Sequence, residues 1–129
     1  MKAITRFLSI PLLGLAFLAL PNGAPAEAAS HFGLSRSQPE AGSSVAAPSE
    51  VKLWFTEEPQ EGSMSIRLLE AGDAGVHVMD PVQDSEDPRA FSVALHGTVP
   101  AGTYTVSWRG MGADGHVVRD TFQFTVASR

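Results

Sequence analysis

Apolar residues alternate with polar ones in short runs along most of this sequence, and this pattern constrains the fold more than any other feature. Successive side chains of a β-strand point to opposite faces, so each run would place one apolar row on one face of a sheet. Glycine, proline, aspartate and serine separate the runs, as in turns between strands. The seven runs that we assign as strands are 31–36, 51–55, 64–68, 76–78, 91–96, 104–108 and 122–126.

Seven short strands within about 100 residues predict an all-β fold, either a sandwich or a barrel. We favour a seven-stranded antiparallel Greek-key β-sandwich of the immunoglobulin-like or cupredoxin-like type, although one sequence does not give the pairing order of the strands. No internal repeat and no helical period of useful length interrupts the pattern. We therefore predict a single domain, residues 31–129.

The first thirty residues are predicted to be a cleaved secretory signal peptide. A short positive region, an apolar run over residues 7–20 and a stretch of small residues follow one another in that order. The apolar run is shorter than the ~20 residues that a membrane-spanning helix needs, which favours a leader over an anchor. We expect no membrane span in the mature chain. The candidate cleavage positions follow Ala28, Ala29 and Ser30.

The chain is acidic and contains no cysteine. Nine lysines and arginines against fourteen aspartates and glutamates give a formal net charge of −5. An acidic surface suits cations better than nucleic acid or anionic lipid, so we expect no nucleic-acid partner. Without cysteine the exported domain has no disulfide, and a metal site in it cannot use a thiolate ligand.

The tripeptide Asp114-Gly115-His116 lies between two predicted strands and supports two interpretations. Asp-Gly is a common turn pair, and taken alone the motif is more often only a turn. In an extended segment, however, residues i and i+2 share a face. The carboxylate of Asp114 and the imidazole of His116 could then contact one metal ion.

His31 becomes a metal-ligand candidate if cleavage after Ser30 makes it the first residue of the mature chain. Its α-amine and ring Nδ1 would then chelate a metal, and an α-amine with a pKa near 8 gives up its proton readily to a strongly binding cation. Alone, His31 would be better interpreted as a frayed terminal residue. Together with Asp114 and His116 it completes a set of three nitrogens and one oxygen, which suits Cu(II) far better than Mg²⁺ or Ca²⁺.

Several segments, taken in order along residues 31–127, resemble the CopC-type copper-resistance proteins, which are periplasmic copper binders. Each segment alone is ordinary strand sequence, whereas all of them in order behind a signal peptide make a specific match. The segments are SQPEAGS (37–43), APSEV (47–51), LWFTE (53–57), AGTYTVSWR (101–109), ADGHV (113–117) and FQFTV (122–126), with His31 ahead of them.

The resemblance implies a seven-stranded sandwich that binds one Cu(II) ion per chain through His31, by its amine and imidazole, and through Asp114 and His116. It favours cleavage after Ser30, because this site needs a free α-amine. It also implies a periplasmic copper carrier or buffer in resistance or uptake rather than an enzyme, with an inner-membrane copper transporter of the CopD type as a partner. We expect a monomer.

Some members of this family carry a second, Cu(I) site in a methionine-rich loop, where thioether ligands suit the softer ion. Here Met64, Met79 and Met111 are scattered, so we predict a protein with a Cu(II) site only. Met64 is in phase with an apolar row and is predicted to be a core residue. The side chains that we interpret as facing solvent are Glu57, Glu58, His77 and His96.

Two other functions fit parts of the pattern. Lytic polysaccharide monooxygenases use an N-terminal histidine chelate plus a third nitrogen, but here a carboxylate would stand at the copper and the chain is short for a flat polysaccharide-binding face. A metal-free interaction sandwich would need neither the terminal histidine nor the Asp-x-His motif. Oxidative turnover of the copper-loaded protein, or weak copper binding by the mature protein, would identify these two alternatives respectively.

Overall fold

The protein is built from β-strands. The computed structural model describes residues 31–70, 76–97 and 99–128, and within these ranges no residue is helical. The strands are β1 (Leu34–Gln38), β2 (Ser44–Val45), β3 (Glu50–Phe55), β4 (Ser65–Glu70), β5 (Val76–Met79), β6 (Val82–Gln83), β7 (Ala90–Ala94), β8 (Gly102–Met111) and β9 (Val117–Val126).

The strands form two sheets. One has four strands in the order β1-β3-β7-β6, and the other has five in the order β2-β9-β8-β4-β5. Every pairing is antiparallel except that of β2 with β9, which is parallel. The β8–β9 hairpin has the longest ladder, with ten paired positions from Gly102↔Val126 to Met111↔Val117.

The prediction of an all-β sandwich is confirmed, whereas the count of seven antiparallel strands is wrong. The two additional strands, β2 and β6, have two residues each, which is too short to show an alternating pattern. The parallel pairing of β2 also departs from the predicted antiparallel arrangement. Strand β9 begins at Val117, directly after the Asp-Gly-His motif that we place between two strands, and its first half pairs with the far end of β8.

The core lies between the two sheets. Inward rows of β3 and β7 on one side face inward rows of β4, β8 and β9 on the other, as the alternation predicts. Ring contacts cross the interface, with the Phe55 and Trp108 ring centroids 5.1 Å apart. The buried hydrophobic residues are Phe32, Val51, Leu53, Phe55, Ile66, Leu68, Ala90, Phe91, Val93, Tyr104, Val106, Trp108, Phe124 and Val126.

The predicted signal peptide, residues 1–30, lies outside the described residues and stays a prediction. Within the described part of the chain, no helix has the length and apolar character needed to cross a membrane.

One end of the sandwich brings distant parts of the chain together. The segment before β1 meets the residues after β3 and the turn between β8 and β9. Phe32 anchors that segment, since its ring is 4% exposed, stacks on Phe55 at 5.0 Å and meets Trp108 edge-on at 6.1 Å. This end carries His31, Asp114 and the neighbouring charged groups.

Candidate metal centre

The turn between β8 and β9 holds two of the predicted site residues. The chain reverses over residues 112–116, where the N–H of Gly115 donates to the carbonyl of Gly112 at 3.0 Å and Gly115 takes a positive φ of 82°. The N–H of His116 donates to Oδ1 of Asp114 at 3.0 Å, which is the local bond that aspartate commonly makes in turns. The segment is therefore a turn, as the first interpretation of the motif predicts, and not the extended segment that the second interpretation assumes.

The side chains of Asp114 and His116 contact each other. Nδ1 of His116 lies 2.8 Å from Oδ2 of Asp114, and both side chains are open to solvent, at 81% and 45% exposure respectively. This hydrogen bond lowers the pKa of the Asp114 carboxyl and raises the pKa of the His116 ring. The pair is therefore a charged carboxylate beside an imidazole that holds its proton more firmly than a free histidine, and a metal ion would have to displace that proton.

His31 lies at the same end of the sandwich and is fixed through its backbone. Its carbonyl accepts a hydrogen bond from Oγ1 of Thr56 at 3.0 Å, and the same Oγ1 accepts one from the N–H of Gly33 at 3.1 Å. The N–H of Thr56 in turn donates to the carbonyl of Gly33 at 2.9 Å. The His31 side chain is exposed, and its electrostatic interaction with the Asp114 carboxyl makes a minor contribution to the lowered pKa of that carboxyl, after the hydrogen bonds from His116.

Gly112 is the point where the turn contacts the N-terminal segment. A Cβ atom at this position would lie 2.7 Å from Oε1 of Glu57, 2.8 Å from Cβ of Phe32 and 3.2 Å from Oδ1 of Asp114. Only a residue without a side chain allows the backbone to approach Phe32 and Glu57 this closely. The close approach of the turn to Phe32 in the N-terminal segment therefore depends on the glycine at position 112.

Gly112→Ala should lower the free energy of unfolding by about 1–3 kcal/mol, because the added methyl group overpacks this contact. Chemical denaturation of the two proteins under the same conditions measures the difference. Gly33→Ala is the matched control, since the nearest atom to its Cβ would be the carbonyl oxygen of His31 at 3.9 Å. A similar loss for both variants would show that the contact at Gly112 is not tight.

Glu57 is a residue of this end that the sequence did not reveal. The sequence pattern predicts an ordinary surface carboxylate, but Oε1 of Glu57 accepts a hydrogen bond from the N–H of Ala113 at 3.1 Å. Gln60 supports the same turn, donating from Nε2 to the carbonyl of Gly112 at 2.9 Å. No local pattern could have revealed these bonds, because their partners are more than fifty positions apart along the chain.

The structure brings Asp114 and His116 into contact and places His31 at the same end, but it does not assemble the three side chains into one site. Among the described residues, no three His, Asp or Glu side chains lie in an arrangement that could hold one metal ion. In the full chain the backbone nitrogen of His31 is also in a peptide bond with Ser30. The ligand set His31, Asp114 and His116 therefore stays a prediction about the processed protein.

The other histidines and methionines fall elsewhere. Met64 packs against the core, as its phase predicts, and His96 is exposed beyond the opposite end of β7. Met111 is half-buried at the end of β8. The side chains of His77 and Met79 lie outside the described part of the structure, so their predicted environments remain untested.

Comparison with known families decides where the chain belongs. The sequence model of the CopC domain matches residues 34–127, which is well over half of the chain and includes Asp114 and His116. The chain belongs to the CopC domain family. The matched range begins three residues after His31, so the proposed terminal ligand lies outside it.

Relatives of this CopC-domain protein agree with that assignment. It is 32% identical over 121 residues to "Copper resistance protein C" of Escherichia coli, with 89% of each chain covered. It is 28% identical over 127 residues to the protein of the same name from Pseudomonas syringae pv. tomato, with 95% of each chain covered.

Solved structures of the family share the fold. The crystal structure of CopC from Methylosinus trichosporium OB3b matches with a TM-score of 0.67 at 30% identity, covering 74% of this chain and 93% of that one. The selenomethionine form of PcoC, a copper resistance protein from Escherichia coli, matches with a TM-score of 0.62 at 29% identity, covering 74% and 99% respectively.

Proposed function

We propose that the mature protein binds one Cu(II) ion at the end of the sandwich where His31, Asp114 and His116 lie, and that it carries or buffers this ion in the periplasm. The observation that carries the proposal is the contacting Asp114–His116 pair beside an N-terminal segment fixed by Phe32. Membership of the CopC family and relatives named for copper resistance support the choice of metal. The Greek-key, immunoglobulin-like form of the sandwich belongs to the same proposal.

Removal of residues 1–30 is the first step of this function. Cleavage after Ser30 would free the α-amine of His31, and the amine and ring Nδ1 would together chelate the ion. The backbone bonds from Thr56 and Gly33 hold the terminal segment in place, so less conformational freedom is lost when the ion binds. The leader also accounts for delivery to the periplasm.

The Asp114–His116 pair would supply the remaining donors. Each carboxylate oxygen has two lone pairs, so Oδ1 of Asp114 can keep the backbone N–H of His116 while the carboxylate contacts copper. The same contact orients the His116 ring, as carboxylates commonly do for metal-binding histidines. Nδ1 would keep its hydrogen bond to the carboxylate, and copper would take the place of the proton on Nε2, the other ring nitrogen.

A carrier must also release its ion. The proposed site is open to solvent at Asp114 and His116, so an acceptor protein could approach the copper directly. We propose an inner-membrane copper transporter of the CopD type as that acceptor, and a role in binding and transfer rather than catalysis. The protein is proposed to act as a monomer.

His116→Ala and Asp114→Ala should each weaken Cu(II) binding by the mature protein by roughly 10- to 100-fold. Each substitution removes one proposed donor and also the contact that orients the other donor. Titration against a competing Cu(II) chelator measures both affinities. His96→Ala is the matched control, since this exposed histidine lies at the opposite end of the sandwich. Unchanged affinity in both site variants would rule out the turn as the copper site.

A further inference from the structure

The outer face of the five-stranded sheet carries a cluster of arginines. Arg67 follows the buried Ile66 on β4, and Arg109 follows the buried Trp108 on β8, so both side chains point away from the core. Arg119 on β9 lies directly opposite Arg109 in the ladder. All three side chains are exposed, and they come from three neighbouring strands.

On the three strands that carry these arginines, no outward carboxylate balances the three charges among the described residues. The outward positions of β4, β8 and β9 hold serine, threonine, glutamine, leucine, methionine, valine and arginine, but no aspartate or glutamate. Within the described ranges, none of the three arginines makes an ion pair. The side-chain ion pairs found there are Lys52–Asp84, Arg89–Asp87 and His116–Asp114. The cluster is thus a cationic patch on a chain whose net charge is −5.

The arrangement is unfavourable for the protein alone. Like charges directly opposite each other in an antiparallel pair are destabilising, and Arg109 and Arg119 occupy such positions. An anion bound between the two guanidinium groups would attract both of them and so replace this repulsion with attraction. Each guanidinium presents several N–H donors in a planar fork that fits an oxyanion. The repulsion between Arg109 and Arg119 therefore destabilises the folded protein, and a bound anion would remove it.

The arginines enclose a groove large enough for such an anion. The groove has a volume of about 180 Å³. Ser65 lies opposite Arg109 and Ser107 lies opposite Arg67, so two hydroxyl groups stand beside the guanidinium groups as further donors. The lining residues are Ser65, Arg67, Ser107, Trp108, Arg109 and Arg119.

We propose that this groove is a binding site for a doubly charged oxyanion of the phosphate class, either free phosphate or a phosphate monoester. Three guanidinium groups and two hydroxyls supply donors on several sides of one tetrahedral group, and the local charge of the cluster exceeds that of the anion. The site lies on the outer face of the five-stranded sheet and uses none of the residues of the proposed copper site, so it does not depend on copper binding.

The test is a titration of the copper-free protein with inorganic phosphate, with chloride at matched ionic strength as the reference. Saturable shifts of the NMR signals from the three arginine side chains, together with a rise in the unfolding midpoint, are the expected result. The double variant Arg109→Gln/Arg119→Gln should bind phosphate at least about tenfold more weakly. Arg89→Gln removes one positive charge from the turn before β7, next to the other sheet, and should bind like the parent protein.

The remaining outcomes guard against misfolding and test a phosphodiester membrane surface as an alternative ligand. Without phosphate, the double variant should be at least as stable as the parent, because the opposed charges are gone. Vesicles containing phosphatidylglycerol, a singly charged phosphodiester, form a second arm. Binding to vesicles without binding to phosphate would overturn the proposal, and so would a response that does not saturate or that is the same in the double variant and its parent.

Discussion

Mature protein that begins at His31 should bind Cu(II) at least ~100-fold more tightly than the same protein with one extra residue ahead of His31. The extension converts the α-amine into a peptide nitrogen, which removes one donor and opens the chelate ring that the amine forms with the imidazole. Competition against a Cu(II) chelator measures the two affinities. Mass spectrometry of the same samples establishes which residue comes first.

We expect the N-terminal extension to weaken copper binding without changing the stability of the fold. The extension leaves the Phe32 ring in the core and keeps the hydrogen bond from Thr56 to the carbonyl of His31, so the free energy of unfolding without copper should not change. The same extra residue placed after Arg129 is the control and should leave copper binding intact. Equal affinities for the His31 form and its N-terminal extension would show that the amine is not a ligand.

Phe32→Ala should lower the free energy of unfolding by about 3–5 kcal/mol, the usual cost of removing a buried phenylalanine. Phe32 is 4% exposed, and its ring contacts the rings of both Phe55 and Trp108. It also packs over Gly110, where an added Cβ would come within 2.7 Å of its ring atoms. Such a loss is a large part of the stability of a small domain, which is commonly about 5–15 kcal/mol.

Denaturant unfolding of the variant and its parent tests this value. Phe122→Ala is the matched control, because this ring only partly contacts the core and its removal should cost clearly less. Phe32→Leu should restore much of the stability, since it refills most of the space without the ring contacts. A cost below about 1 kcal/mol for Phe32→Ala would mean that the N-terminal segment is not anchored by this ring.

Alternation along each strand was enough to predict the sandwich. The inward residues of β3, β8 and β9 follow a period of two, and the period is a local property that a sequence displays directly. That Asp114 and His116 lie close together also follows from local sequence, since one glycine separates them, but they meet in a turn rather than in an extended segment. The two-residue strands β2 and β6 could not be predicted in this way, because two residues are too few to show an alternating pattern.

The residues near the candidate metal centre could be predicted only in part. His31 is a candidate ligand because of the leader sequence and the family resemblance, and both can be recognised without coordinates. Glu57 and Gly112 gave no such signal. Both residues matter because the β8–β9 turn packs against the N-terminal segment and the residues after β3, and these parts are far apart along the chain.

The order of the amino acids was enough to predict the strand pattern, the Asp-Gly-His turn and the family, because each depends on residues that are close in the chain or on their order. The tertiary structure alone decided that β2 pairs with β9, that Glu57 contacts Ala113, and that three arginines share one face. These features depend on which strands become neighbours. The packing of the two sheets around one core decides which strands become neighbours, and the period of an individual strand gives no information about it.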